Sequence, residues 1–417
     1  MFDAARIPPV DYADPWTTSF ESRLAALTRR VRRIAYYYHR PDTSTFRYRV
    51  FNMIEALTSA KGSTTSAAWF QESELPRMDK FIDRADALVV CRARYSPDVG
   101  RMIGRAKARG IPVFYDIDDF VFNADYAHLV MHTLDQDTAG EAPMDFWFAY
   151  LGRHGATLRL CDQAIVTNAF LGQRIAEVTN DMPVHIIPNF LNPAQQAFST
   201  RLFRAKQNSG FSSSGHCHVG YFSGTPTHNK DFAIAADALS ELMDRYPDVR
   251  LRVVGFFQPH GGLVRHSDRI DLHPLQDFMN LQRLIGEVEI NIAPLQNNLF
   301  TNCKSELKYF ESAIVGTATL ATPTYTFGRA ITDGVNGLLC ASHQWGEKLQ
   351  SAMDLLSDRT AYAELAERAF EHAVTAYGWD SHAGLIEKTI FGSGDARESP
   401  LQPGGILTPS RPGQAGP

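Results

Sequence analysis

The stretch ALVVCRARYSPDVGRMIGRAKARGIPVFYDID, residues 87–118, contains one complete repeat of the pattern that decides the fold. A short apolar run over 87–93 is followed by a helical pattern that ends at Gly110, and a second apolar run begins directly after it. Glycine commonly follows the last turn of a helix. Strands that are apolar along their whole length and alternate with helices are typical of a parallel sheet covered on both faces. The stretch therefore predicts a strand, a helix and a second, parallel strand.

The same alternation continues on both sides of this stretch. Apolar runs that precede helical patterns recur in IAYYY (34–38), QAIVTNA (163–169) and HVGYFSG (218–224), and later helices are predicted over 276–286, 304–315 and 346–377. The polar stretch 192–217 interrupts the alternation, so we predict an interdomain linker there. The predicted fold class is α/β, with two doubly wound, Rossmann-like domains whose strand ends face a common cleft. The last residues, 393–417, have too few apolar side chains to form a core and are predicted to be disordered.

The composition excludes several classes of protein. The chain has 417 residues and a net charge of −5, so it lacks the basic excess of a typical nucleic-acid-binding protein. Its five cysteines are scattered without a C-x-x-C spacing, which indicates neither a disulfide framework nor a zinc site. No apolar run approaches the roughly 20 residues that span a bilayer, and the first residues lack the layout of a signal peptide. We expect a cytoplasmic protein that does not bind nucleic acid.

Two stretches of the second half suit the binding of an anion. In the first, a strand ends at Gly224, a polar loop follows, and Lys230 lies directly before a helix that starts at Asp231. The N–H groups of such a loop and helix start bind phosphate oxygens, although a glycine after a strand is also found in ordinary turns. In the second, Lys304, Lys308 and Glu311 share one edge of a predicted helix. The lysines suit a diphosphate and the carboxylate suits ribose hydroxyls; the alternative is a Lys308–Glu311 surface pair.

Taken together, these motifs resemble glycosyltransferases of the GT-B fold, most closely family 4. The resemblance runs from about residue 160 to 390 and also includes AIVTNAFLGQRI, VHIIPNF, IAPL and HAVTAYGWDSHAGLIEKTI. It implies an acceptor-side first domain over 1–191, with an extension over 1–30, and a nucleotide-sugar-binding domain over 218–376. It also implies a C-terminal helix over 377–392 that crosses back to the first domain.

The resemblance implies donor-binding roles for six residues of the second domain: Gly224, Thr225, Lys230, Lys304, Lys308 and Glu311. Lys230 would contact the donor diphosphate, and Glu311, as the second Glu of the E-x7-E motif, would hold the ribose. Two positions depart from the pattern, because Cys303 stands where the first Glu is expected and Thr225 where an Arg often follows the glycine. The lysines of the stretch KSELKYFE (304–311) would take the place of these two residues. Which residues bind the sugar ring is left open.

The acidic stretch FYDIDDF, residues 114–120, ends a predicted strand of the first domain. Asp116-Ile117-Asp118 spells the D-x-D pattern that holds a divalent cation in glycosyltransferases of the GT-A fold. In the GT-B arrangement these carboxylates face the cleft opposite the donor. We therefore expect Asp116, Asp118 and Asp119 on the acceptor side, where they would bond to acceptor hydroxyls or accept a proton, and we expect no metal. The alternative is that Asp118 or Asp119 caps a helix or turn.

Other residues of the first domain are weaker candidates. Arg47 and Arg49, in the loop after the first strand, and His154, on a predicted helix, are assigned to the acceptor side; a solvated loop and a surface histidine are the alternatives. Four arginines precede the first strand: Arg29, Arg30, Arg32 and Arg33. Such a cluster suits anionic headgroups at a membrane surface and suits a solvated helix equally well.

The resemblance implies a retaining, metal-independent glycosyltransferase of polysaccharide or lipopolysaccharide assembly. The donor would be a dTDP-, GDP- or UDP-linked sugar, and the acceptor a glycan that can be lipid-linked at the inner face of the membrane. The expected catalytic residues are Asp118, Asp119 and Lys230, which would serve proton transfer and charge stabilisation. Two alternatives stay open: a sugar-nucleotide 2-epimerase of the same fold, and a non-catalytic, degenerate GT-B scaffold.

Overall fold

The computed structural model describes residues 1–224 and 229–392. It contains two six-stranded sheets with helices on both faces. The predicted α/β fold with two Rossmann-like domains is therefore confirmed. Thr225 and the predicted disordered tail, 393–417, lie outside the described residues.

The first sheet is built from the first half of the chain. Its strands are β1 (Arg32–Tyr37), β2 (Thr65–Phe70), β3 (Ala87–Cys91), β4 (Val113–Ile117), β5 (Gln163–Val166) and β6 (Val184–Ile186). The accompanying helices are α1 (Phe20–Leu27), α2 (Asn52–Ser59), α3 (Met78–Ile82), α4 (Pro97–Ala108), α5 (Ala127–Thr133), α6 (Glu141–Leu160) and α7 (Ala169–Val178). The strands are parallel in the order β2-β1-β3-β4-β5-β6.

Helix α4 shows how the local sequence sets these elements. The Ser96 side chain accepts a hydrogen bond from the N–H of Val99, and Pro97 occupies the first turn, where its missing N–H costs nothing. After the helix, Gly110 adopts a φ of 71°, a conformation that glycine takes without strain. The stretch 87–118 thus forms the β3–α4–β4 unit that its sequence predicts.

The second sheet is built from the second half of the chain. Its strands are β7 (Cys217–Phe222), β8 (Val249–Val254), β9 (Ile270–His273), β10 (Ile290–Ala293), β11 (Ala318–Ala321) and β12 (Leu338–Leu339). The helices are α8 (Pro193–Asn208), α9 (Asn229–Arg245), α10 (Phe278–Glu287), α11 (Leu299–Asn302), α12 (Leu307–Ala313), α13 (Phe327–Ala330), α14 (Trp345–Ser357), α15 (Arg359–Tyr377) and α16 (His382–Phe391). The strands are parallel in the order β9-β8-β7-β10-β11-β12.

The stretch between the sheets is more regular than its polar composition suggests. Most of the predicted linker, 192–217, forms α8, which begins at the capping side chain of Asn192. Phe198, Leu202 and Phe203 of α8 are buried in the apolar core of the second domain. These three apolar residues anchor the helix. The remaining side chains of the stretch are mostly polar and give no clear helical period, so the sequence did not indicate this helix.

Two of the predicted helices have different limits in the structure. The helix predicted over 304–315 is shorter, since α12 starts only at Leu307. The helix predicted over 346–377 is two helices, α14 and α15, which meet at Asp358. The Asp358 side chain accepts hydrogen bonds from the N–H groups of Thr360 and Ala361, so it caps the start of α15.

Both ends of the described chain pack across the two domains. The first residues contact the second domain, where the N–H of Phe2 bonds to the carbonyl oxygen of Glu287 at 3.0 Å. Ile386 and Ile390 of α16 lie in a core cluster of the first domain. Among the described residues, no helix is both long and apolar enough to cross a membrane.

Candidate functional site

Each sheet has one position where the direction of strand order reverses. In the second sheet this switch point lies between β7 and β10, and in the first sheet it lies between β1 and β3. Ligands of doubly wound folds bind at the carboxyl ends of the strands beside such a point. The loops after these strands carry most of the predicted site residues.

Lys308 lies at the switch point of the second sheet. It is in the first turn of α12, and its carbonyl oxygen accepts a hydrogen bond from the side chain of Asn291 on β10 at 3.0 Å. Its Nζ is 4.6 Å from the centre of the Tyr221 ring on β7. The side chain therefore spans the two strands between which a ligand is expected.

The Lys308 ammonium is held in a poorly hydrated environment. Its pKa is lowered to about 8, because burial and the nearby Lys304 lower it by more than Asp231 and Glu311 raise it. A cation that has lost part of its hydration gains more from a bound anion than one in bulk water. The position thus suits the predicted anion-binding role of Lys308.

Glu311 lies one turn further along α12 and faces the first domain. Its Oε1 accepts hydrogen bonds from Nη2 of Arg47, at 3.1 Å, and from the Tyr48 hydroxyl. All three side chains are buried. The alternative of a Lys308–Glu311 surface pair is therefore wrong. The acceptor-side assignment of Arg47 is corrected too, because its buried guanidinium is bonded to Glu311 of the second domain and does not line an open cleft.

The other residues that the sequence predicts to bind the donor are spread around this position. Lys304 precedes α12, and its Nζ is 5.1 Å from the centre of the Phe300 ring. Gly224 is exposed just beyond the end of β7. Lys230, at the start of α9, donates a hydrogen bond to the carbonyl oxygen of His132 at 2.9 Å, so it reaches across to the first domain. Its contact with a diphosphate stays a prediction.

Cys303, at the position where the resemblance implies a Glu, makes an apolar contact between the domains. Its side chain is fully buried and, with Phe300, belongs to the core cluster of the first domain. Burial raises the pKa of its thiol. Its carbonyl oxygen accepts a hydrogen bond from Nδ2 of Asn168 at 2.9 Å. This position therefore packs the domains together and carries no charge.

Asp116 and Arg49 form a buried ion pair and do not reach the cleft. Nε and Nη2 of Arg49 lie 2.8 and 2.9 Å from the two carboxylate oxygens of Asp116, and both side chains are buried. Nη1 of Arg49 donates to the carbonyl oxygen of Ile187 at 2.7 Å and to the Asn189 side chain at 3.1 Å. Their acceptor-side assignment is corrected, because each already satisfies the other and neither is open to a ligand.

Asp118 and Asp119 remain at the cleft, bound to an arginine that sequence reasoning missed. Nη1 of Arg92 is 2.9 Å from a carboxylate oxygen of each, and the Thr45 hydroxyl donates to Asp118 at 2.9 Å. Burial raises the pKa of Asp118, Arg92 opposes this, and Asp119 adds to it. The side chains of Asp118 and Asp119 are 15% and 25% exposed. Arg92 directly follows β3, and that place beside the switch point is the signal that could have found it.

His154 is buried against Tyr115 of β4 and does not line the cleft. Its Nδ1 is 2.8 Å from the Tyr115 hydroxyl, and the ring is 1% exposed. Burial lowers its pKa well below the usual value. Both earlier assignments of His154, an acceptor contact and a surface residue, are therefore wrong.

The arginines before β1 do not share one helix. Arg29 and Arg30 follow α1, whereas Arg32 and Arg33 begin β1. The guanidinium of Arg30 donates to three backbone carbonyl oxygens, those of Leu57, Thr58 and Thr65. Arg30 thus stabilises the fold, and Arg33 also donates to a backbone carbonyl oxygen, that of Arg84, at 3.4 Å.

The described residues contain no group of three or more His, Cys, Asp or Glu side chains arranged to hold a metal ion. The D-x-D pattern is split in space, since Asp116 points to Arg49 and Asp118 to Arg92. These two carboxylates therefore have different partners.

Comparison with solved structures assigns the fold. In the Anabaena protein HepE, solved in complex with UDP and glucose, 98% of the chain matches 86% of this chain, with a TM-score of 0.56 and 13% identity. Sucrose-phosphate synthase from Thermosynechococcus elongatus matches 85% of this chain and 97% of its own, with a TM-score of 0.55 and 14% identity. Two Rossmann-like domains with facing switch points define the GT-B fold, so the predicted fold is confirmed.

The second domain also matches a known family in sequence. Residues 217–358 match the family described as Glycosyl transferases group 1. D-inositol 3-phosphate glycosyltransferase from Corynebacterium aurimucosum is 26% identical over 256 residues, which cover 55% of this chain. The match spans 58% of the length of that relative. Lys304, Lys308 and Glu311 all lie inside the matched domain.

Proposed function

We propose that the protein is a glycosyltransferase that moves a sugar from a nucleoside-diphosphate donor to a glycan acceptor. The observation that carries the proposal is the position of Lys308 at the switch point of the second sheet, within the family-matched domain. A solved neighbour of the same fold binds UDP and glucose, which supports a nucleotide-linked donor. The donor would be linked to UDP, GDP or dTDP.

The second domain would bind the donor through charge and hydrogen bonds. Lys308 and Lys304 would neutralise the diphosphate as it departs, because a fixed cation in a poorly hydrated site stabilises developing negative charge. Glu311, oriented by Arg47 and Tyr48, would accept bonds from the ribose hydroxyls. We propose that the lysines take the place of a metal ion and that the sugar is transferred with retention of configuration.

The first domain would present the acceptor. Asp118 and Asp119 follow β4, next to the switch point, and they are partly exposed and held by Arg92, which follows β3. There they would bond to acceptor hydroxyls and accept the proton of the attacking one. The bond from Lys230 to the His132 carbonyl and that from Asn168 to the Cys303 carbonyl join the domains. Such closure would exclude water and limit hydrolysis of the donor.

A transfer assay tests the proposal. Purified protein is incubated with UDP-glucose, GDP-mannose or dTDP-rhamnose and a panel of glycan acceptors, and the released nucleoside diphosphate is measured with and without EDTA. We expect release that depends on an acceptor, resists EDTA and gives a product whose anomeric configuration matches the donor. Epimerisation of the donor without transfer would indicate a 2-epimerase instead, and failure to bind any nucleotide would indicate a scaffold.

Membrane association belongs to the same proposal. Exposed Arg29 and Arg32 flank Val31, whose side chain is 81% exposed. Basic and apolar groups together suit an anionic lipid surface, and they would bring the enzyme to a lipid-linked acceptor. Sedimentation with phosphatidylglycerol vesicles at low and high salt checks this, and an absence of binding at low salt would contradict it.

The affinity for a nucleoside diphosphate is expected to fall as the pH rises above about 8. The pKa of Lys308 is lowered to about 8, so the free protein loses this cation above that pH. Calorimetric titration between about pH 7 and 9.5 measures the effect, because phosphate groups with a second pKa near 6 are already ionised there. Lys308→Arg should remove the dependence, since arginine stays charged. A pH-independent affinity in the unaltered protein would contradict the role of Lys308.

A further inference from the structure

Helix α6 carries aromatic side chains that the fold leaves largely uncovered. Phe146 is 54% exposed and Phe148 is 37% exposed, while Trp147 and Tyr150 are partly buried beside them. The rings of Phe146 and Tyr150 stack with centres 5.8 Å apart, and those of Trp147 and Tyr150 meet edge to face at 5.4 Å. Phe146, Trp147 and Tyr150 are called the aromatic platform below. Clustered exposed apolar groups commonly mark a binding surface.

The platform lies on the cleft side of the first domain. Helix α6 ends at Leu160, just before the amino end of β5, so its first turns extend towards the carboxyl ends of the strands. Its 20 residues span roughly 30 Å. The Arg94 guanidinium is 5.6 Å from the centre of the Tyr150 ring, and that ring packs edge to face on His154, whose Nδ1 is 2.8 Å from the Tyr115 hydroxyl on β4. The platform is thus a neighbour of the Arg92–Asp118–Asp119 cluster.

We propose that the aromatic platform is an acceptor subsite that stacks against a sugar ring of a neutral oligosaccharide. The inference rests on the proposed function, in which Asp118 and Asp119 receive the reacting hydroxyl. A sugar ring has a face of C–H groups, and the face of an aromatic ring is negative and attracts them. A ring stacked on the platform, beside hydrogen-bonding groups at Asp118, gives the mixed apolar and polar lining typical of a ligand site.

The charges around the platform favour a neutral partner. Four exposed carboxylates surround the start of α6: Asp135, Asp137, Glu141 and Asp145. The basic side chains near the platform include Lys230, which is paired with Asp135, Arg92, which is paired with Asp118 and Asp119, and Arg94 and Arg153. The acidic side chains would repel an anionic membrane or a phosphorylated glycan. Hydroxyl groups, in contrast, can donate hydrogen bonds to carboxylates.

A comparison of matched variants on one helix tests the inference. The probe is a printed array of manno-, gluco-, galacto- and rhamno-oligosaccharides, each in neutral and phosphorylated form. Phe146→Ala, alone and together with Trp147→Ala, is compared with Leu160→Ala, which removes a 37% exposed apolar side chain at the far end of α6. We expect the unaltered protein to bind neutral oligosaccharides. The Phe146→Ala protein should bind them at least tenfold more weakly, and the Leu160→Ala protein should bind them as tightly as the unaltered protein.

The outcomes separate this inference from the proposed function. Nucleotide binding is measured on the same proteins and should be equal in all of them, because the platform is on the acceptor side. The inference is overturned if neutral oligosaccharides are not bound, if phosphorylated ones are preferred, or if Phe146→Ala binds neutral oligosaccharides like the unaltered protein. If the unaltered protein binds no nucleotide, the proposed function is overturned, and with it any acceptor role of the platform.

Discussion

Arg49→Ala is expected to lower the free energy of unfolding by about 3–5 kcal/mol, the usual effect of removing one partner of a buried ion pair. Arg49 is fully buried and connects the segment before α2 to Asp116 on β4 and to the carbonyl oxygen of Ile187. Its loss would leave the Asp116 carboxylate buried without its counter-charge. Since a domain is typically stable by only about 5–15 kcal/mol, urea denaturation should register the change as a large shift of the midpoint.

Two further variants show whether the effect comes from the unpaired charge. Arg49→Met combined with Asp116→Leu removes both charges, and we expect it to regain much of the lost stability. Arg101→Ala breaks a pair with Asp98 in which both side chains are at least half exposed, and it should leave the midpoint unchanged. A midpoint for Arg49→Ala that matches that of Arg101→Ala would contradict the structural role of Arg49.

Lys308→Met is expected to lower kcat/KM by about 10²–10³-fold, the range for losing one preorganised group that stabilises transition-state charge. Methionine keeps the length and apolar character of the lysine stem, so the packing against Tyr221 is retained while the positive charge is removed. The initial rate of nucleoside diphosphate release measures the effect. Removing a poorly hydrated cation should not destabilise the fold.

The matched control for this variant is a lysine of the same domain that lies away from the switch point. Lys348 on α14 is paired with Asp333, and Lys348→Met should retain the activity of the unaltered protein. If Lys308→Met were as active as Lys348→Met, the diphosphate would have to be bound elsewhere.

The architecture could be predicted because the strands are apolar along their length. Both sheets are covered on two faces, so the strands stand out from the sequence without any knowledge of long-range contacts. Helix α8 was not predicted, because its buried apolar residues, such as Phe198 and Leu202, are few among polar neighbours. The break between α14 and α15 was not predicted, because Asp358 also fits the polar face of a continuous helix.

The candidate site could be predicted where its residues share one element. Lys308 and Glu311 lie on α12, and helical spacing alone places them on one edge. Their partners could not be predicted, since Arg47 and Tyr48 come from the other domain, more than 260 residues away in the chain. In a continuous strand, Asp116 and Asp118 would project to the same side. Because β4 ends at Ile117, only Asp116 is buried within the sheet, and Asp118 lies beyond its edge.

The central claim is that the second domain binds a nucleoside diphosphate through Lys308 without a metal ion. Thermal unfolding of the unaltered protein and of Lys308→Met, measured against UDP, GDP, dTDP, ADP and CMP with and without EDTA, tests it most directly. At 100-fold its dissociation constant, one diphosphate should stabilise the unaltered protein by about 2.7 kcal/mol, with or without EDTA. The same concentration should stabilise Lys308→Met much less. A protein that no nucleotide stabilises, or one whose stabilisation is abolished by EDTA, would contradict the claim.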